Sequence, residues 1–291
     1  MKKIFLLLLL AYSSLAQTAQ NKVSLTLHNP KKIKVAIYAY DELYHRNDTL
    51  LATQGDTLVK RIIDISEPRF VTLKLGDRMQ SMYLASTYNL RIFLKDYKIF
   101  DGWGSDINNY LNEYQSFLRT YQYKHAIVSL LEPYNFFDAM EDFDKQFKEF
   151  HRSGILMNKI SDERVEMLAN MHKMYILSLK ANRYTIWHDS EDSTLQQNLK
   201  KVAPEIEQVL QDANLLKLYV PGYLSALDGY VRINMINTYK KASSASYSLI
   251  STYTHLNDLD IKASVKEFML AKTVYLALDV INTSTAFNDL Y

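Results

Sequence analysis

The spacing of apolar residues changes once along this chain, at Phe100-Asp101-Gly102-Trp103-Gly104-Ser105. Before it the period is two, which places side chains alternately on the two faces of a strand. After it the period is close to 3.6, which lines them along one face of a helix. One element cannot satisfy both, so the change splits the chain into a strand-built part and a helix-built part.

In the first part, Val23, Leu25 and Leu27 alternate with Ser24, Thr26 and His28. Further sets follow: Ile33, Val35, Ile37 and Ala39; Val59, Ile63 and Ile65; Val71, Leu73 and Leu75; Tyr88, Leu90, Ile92 and Leu94. Turn residues separate them at Asn29-Pro30, Gln54-Gly55-Asp56, Glu67-Pro68 and Gly76-Asp77. About six or seven short strands at this spacing predict an antiparallel β-sandwich or partial barrel over residues 22–100, and the sandwich is the reading taken.

Beyond Gly104, Ser105 reads as a helix N-cap and Asp106 suits the positive end of the helix dipole. Ile107, Leu111, Tyr114, Leu118 and Tyr121 form an amphipathic stripe. Phe136, Met140, Phe143, Phe147 and Phe150 repeat it, with Gly154 as the stop. A third helix starts at Ser161 with Val165, Leu168, His172, Tyr175 and Leu179 inward. Leu195, Leu199, Val202, Ile206 and Val209 mark a fourth, with a kink at Pro204. Tyr223, Leu227, Tyr230 and Val231 mark another, and a last runs from about Lys262 to Val280 through Val265, Phe268, Met269 and Leu276. The fold class is therefore α+β: a β-sandwich, then an all-α domain over residues 105–291.

Gly102 and Gly104 are two of seven glycines. They let the backbone leave the last strand at angles that a β-carbon resists. Trp103 between them reads as a plug in the seam between the two parts, with an aromatic platform for a ligand as the alternative. Phe100, Trp103 and Tyr110 are the candidate seam or ligand contacts.

Residues 1–16 read as a signal peptide. Lys2 and Lys3 precede an apolar run, Ile4 to Tyr12, that is too short to span a membrane. Ser14 and Ala16 are small residues placed for cleavage after Ala16. No cysteine follows the run, so no lipoprotein anchor forms there. The prediction is an exported, periplasmic product with no membrane span.

There is no cysteine among the 291 residues, which excludes thiol redox chemistry and thiolate metal sites here. Net charge is +2, with Lys and Arg scattered among nearly as many Asp and Glu, which argues against nucleic-acid binding. Lys31, Lys32 and Lys34 read as a wet strand face. His28, His45, His125, His151, His172, His188 and His255 include no pair at zinc spacing. His172 lies on an inward stripe and reads as a core residue. The cluster His188-Asp189-Ser190-Glu191-Asp192 lacks the glycine and ligand spacing of a calcium loop. No phosphate-binding glycine loop, Gly-x-Ser-x-Gly elbow or Ser-x-x-Lys occurs. The reading is therefore a protein that is not an enzyme and holds no cofactor or metal. Asp48-Thr49-Leu50, Asp56-Thr57-Leu58 and Asp192-Ser193-Thr194 match a short O-glycosylation sequence of exported Bacteroidota proteins.

The order of parts, with Phe100, Gly102, Asn109, Tyr110 and Leu111 at the junction and Lys266-Glu267 in the last helix, resembles a known family. It is similar to the N-terminal region of Bacteroidota thiol-disulfide interchange proteins of the TlpA type. The resemblance implies a small β-domain, a helical region and then a thioredoxin domain. Ala85-Ser86-Thr87 stands where the family often has Pro-Gly-Asp. The thioredoxin domain and its Cys-x-x-Cys do not occur in these residues, and Phe287 to Tyr291 continue a helical stretch. A truncated reading frame and a product without its catalytic domain both fit. The resemblance implies a non-catalytic module that positions or recognises clients for a thioredoxin domain encoded downstream, with a homodimer left open. The alternative is a stand-alone periplasmic binding or scaffold protein that uses the seam between sandwich and helices.

Overall fold

The computed structural model describes residues 21–41, 46–94, 98–124, 133–218, 220–239 and 249–283. The expected signal peptide, His45, His125 and Phe287 to Tyr291 lie outside them. Two compact units share the chain. The first takes the chain through Tyr40, then Asn47–Thr120 and Arg152–Ser161; the second takes Asp41–Arg46, Tyr121–His151 and everything from Asp162. The change of period at Gly104 falls inside the first unit.

Among the described residues eight strands build that unit: β1 (Lys22–His28), β2 (Val35–Asp41), β3 (Arg46–Thr53), β4 (Leu58–Asp64), β5 (Arg69–Leu75), β6 (Arg78–Leu84), β7 (Asn89–Leu94) and β8 (Lys98–Trp103). They form two four-stranded sheets, ordered β4-β1-β7-β8 and β3-β2-β5-β6. The α+β class stands, and each sheet has a buried apolar face, as a sandwich requires, while Phe70 and Tyr83 are buried on the other face of the second sheet as well. Val23, Leu25 and Leu27 alternate with half-buried Ser24, Thr26 and His28, and Leu90, Ile92 and Leu94 are likewise inward. Val35, Ile37, Val71, Leu73, Met82 and Leu84 line the buried face of the second sheet. One pairing, β1 with β7, runs parallel; β4, β1 and β8 otherwise pair antiparallel. The strands β3 and β6 lack clean apolar alternation and escape the periodicity argument.

Eight helices follow among the described residues: α1 (Ser105–Lys124), α2 (Pro133–Asn158), α3 (Asp162–Trp187), α4 (Ser193–Leu210), α5 (Ala213–Lys217), α6 (Tyr223–Tyr239), α7 (Leu249–Asp258) and α8 (Ala263–Thr283). None is long and apolar enough to cross a membrane. Ser105 is the first helical residue of α1 rather than its cap. Gly154 does not stop α2, which runs on to Asn158. Lys159 ends it with φ at 54°, and the Ile160 N–H returns to the Ile155 carbonyl at 3.1 Å, a Schellman closure.

In the second unit α3 packs against α4 and α6, and α7 against α8. Gly229 of α6 meets Ala181 of α3 so closely that an added β-carbon would sit 2.4 Å from the Ala181 Cβ. Small residues at that point let the two backbones approach. Asp192 caps α4 by accepting from the Leu195 N–H at 2.7 Å, so this part of the acidic cluster has a structural role. Leu195, Leu199, Val202, Ile206 and Val209 are all buried, as their spacing predicts.

Candidate functional site

The junction is built from backbone outward. Gly102 and Gly104 have φ of 90° and 91°. A β-carbon on Gly102 would lie 2.2 Å from the Asn89 carbonyl oxygen, and one on Gly104 would lie 2.3 Å from the Tyr88 ring. Only glycine fits either position. The chain then enters α1, whose first turn carries Asn108 and Asn109.

These two amides do different jobs on two sheets. Asn108 accepts from the Tyr83 N–H and donates to the Tyr83 and Gly104 carbonyls, each at 2.9 Å. Asn109 accepts from the Phe100 N–H at 3.0 Å and donates to the Phe100 carbonyl at 2.9 Å. Tyr83 lies on β6 and Phe100 on β8, the end strands of the two sheets. Each amide supplies the donor and acceptor that a neighbouring strand residue would supply. One helical turn thus satisfies outer edges of both sheets where they would otherwise be open. No apolar pattern announces this. The available signal was two successive asparagines inside a helix, a residue type that favours side chain to backbone bonds over helix interiors.

Of the three candidate contacts, Phe100 and Tyr110 are buried at 2% and 0% exposure, while Trp103 is 65% exposed. Trp103 is therefore not a plug. Strand alternation is the reason: with Phe100 inward, a residue three positions on points to the opposite face. Burial, reinforced by the Glu113 carboxylate, pushes the Tyr110 hydroxyl far up, so it stays protonated. Phe100 and Tyr110 belong to the core of the first unit. Trp103 belongs to its surface.

A separate groove of about 630 Å³ lies in the second unit, between α2 and α3 with Glu205 of α4 at its rim. Met140, Phe147, Ile176 and Leu177 supply apolar walls. Of the rim charges, Lys148 pairs with Asp144 at 2.6 Å and Lys180 with Glu205 at 2.7 Å, and Glu141 and Lys173 also line the groove. Beneath them His172 stacks on Phe147, with centroids 3.7 Å apart, and meets the Phe143 ring edge-on. Burial lowers the His172 pKa to about 3, so the ring is neutral at neutral pH. His151, stacked on Phe147 with centroids 5.0 Å apart, is also lowered by burial. Such a groove suits an apolar group ringed by charged side chains. His172 is a core residue, as its place on an inward stripe predicts.

Among the described residues no group of three or more His, Cys, Asp or Glu is placed to hold a metal ion. His188 lies 3.2 Å from Asp189 within the acidic cluster. No family model, curated protein or solved structure matches the chain.

Proposed function

We propose that this chain is the non-catalytic N-terminal module of an exported thiol-disulfide interchange protein, and that it positions or recognises clients for a thioredoxin domain. One observation carries the reading. Phe100, Gly102 and Asn109, on which the family resemblance rests, form a single device: Asn109 holds the Phe100 backbone, and Gly102 turns the chain toward it. The device gives those residue types a structural reason to occur together at that spacing. Residues with no cysteine cannot form the mixed disulfide that thiol exchange requires. The module's part is therefore binding, in a periplasmic setting that the leader sequence suggests.

The test compares an active thioredoxin domain alone with the same domain fused behind this chain, on several folded disulfide substrates. The fusion should change the rate for some substrates and not for others. Equal rates on every substrate would rule out client recognition. By itself the protein should leave insulin reduction by dithiothreitol at its uncatalysed rate.

A second reading, a stand-alone binding or scaffold protein, draws on the apolar groove between α2 and α3. It requires that a fluorescent apolar probe bind there and that Leu177→Asp abolish the signal. An unchanged signal in that variant would remove the groove from consideration.

A further inference from the structure

The β4-β1-β7-β8 sheet buries one face and leaves the other open. Strand register sorts the open face into rows that cross the strands. The middle row reads Lys60, Thr26, Arg91, Asp101. On one side of it lie Ile62, Ser24, Asn89 and Trp103; on the other lie Leu58, His28 and Phe93. Ile62, Trp103 and Leu58 are 70%, 65% and 51% exposed. Single exposed apolar side chains are ordinary, but three on one flat sheet face mark an interaction surface.

We infer that this face pairs with the same face of a second copy of the chain, about a two-fold axis that runs along the strands between β1 and β7. Such an axis exchanges β1 with β7 and β4 with β8. Ile62 then meets the partner's Trp103. Lys60 at one end of the middle row meets the partner's Asp101 at the other. His28 and Phe93, stacked with centroids 4.5 Å apart, straddle the axis, so each ring meets the other ring type of the second copy. Asp101 already pairs with Arg91 of its own copy at 2.5 Å, so Lys60 joins that ion pair from across the interface. The alternative axis, across the strands through the middle row, sets Lys60 against Lys60 and Asp101 against Asp101. Charge complementarity thus selects the first axis; both two-folds are isologous and would close a dimer. Two twisted sheets pack this way at about 10 Å with strands roughly aligned.

Four strands about 4.8 Å apart and about seven residues long give a plane on the order of 400 Å². A standard interface covers about 800 Å² per partner, so this dimer belongs to the weak class and forms with rising concentration. The inference is independent of the proposed function, because it needs no thioredoxin domain and no client.

Sedimentation equilibrium of the purified protein over a wide concentration range tests it. The native protein should shift from monomer to dimer. Ile62→Glu and Trp103→Lys should each weaken association tenfold or more. Ile62→Glu with Trp103→Lys together should restore it, because the new carboxylate faces the partner's new ammonium. Circular dichroism should show all three variants folded, since both positions are exposed. A monomer at every concentration overturns the inference, as does a dimer indifferent to both single changes or a double variant no better than the singles. A monomer whose Trp103 fluorescence shifts with a glycan or an unfolded client gives the face to that occupant instead, and also overturns it.

Discussion

Asn108 is the residue on which most structure turns per atom. Its amide satisfies both backbone groups of Tyr83 in a site with no exposure. Asn108→Ala leaves a buried N–H and C=O open, and each orphan costs about 1–3 kcal/mol. The expected loss is roughly 2–4 kcal/mol by urea denaturation. Trp103→Ala should change stability by only about 0.5 kcal/mol, the usual range for a surface site. His172 adds a pH dependence. Its folded pKa, about 3, lies below the unfolded value near 6.5. The unfolded chain therefore binds a proton first as pH falls. The neutral ring's contribution is intact above about pH 6.5 and is lost progressively as pH drops toward 3, at up to roughly 1.4 kcal/mol per pH unit. His151 and His255 are lowered by burial and act with the same sign. Replacing His172 with Phe should flatten stability over that window; an unchanged pH profile would show that His172 is not the group responsible.

Among the elements, α2 shows how a stop signal is overruled. Gly154 offered an early end, yet the turn beyond it is tied down: the Asn158 amide donates to the Gly154 carbonyl and to the Glu113 carboxylate, each at 3.0 Å. The actual end places Lys159 in the left-handed region, which costs a residue with a β-carbon about 1–2 kcal/mol. Lys159 is exposed, so its side chain holds nothing in the core. Lys159→Gly should raise stability by roughly 0.5–1 kcal/mol, after the larger chain entropy of glycine is subtracted. A melting temperature that falls would mean the lysine side chain contributes more than its exposure suggests. The strands show the reverse effect: β3 and β6 have weak patterns of their own and are set by their neighbours.

At the scale of the molecule, the compact units do not follow the change of period. The first unit needs α1 as far as Thr120 and the later segment Arg152–Ser161. Asn158 of that segment donates to Glu113 of α1 at 3.0 Å, and Ile160 is buried. A fragment of residues 22–103 keeps every strand but loses Asn108 and Asn109, so Tyr83 and Phe100 face open edges. It should fail to show a cooperative unfolding transition, whereas the full chain should show one. A cooperative transition in that fragment would mean the sheets hold without α1.

Amino-acid pattern alone determined which stretches bury which face. Apolar side chains leave water whatever their neighbours are, so a period of two or 3.6 reports strand or helix directly. It also placed the joint, because only glycine takes the backbone angles and close contacts at Gly102 and Gly104. The stripes on α1 and α4 and the inward place of His172 were legible for the same reason. What Asn108 and Asn109 hold, the side of β8 on which Trp103 lies, and the gathering of Ile62, Lys60, Asp101 and Trp103 on one face were decided by tertiary structure. Hydrogen bonds between an amide and a distant strand, and the register that lines up four strands, depend on residues far apart in sequence. Local periodicity carries no record of such partners.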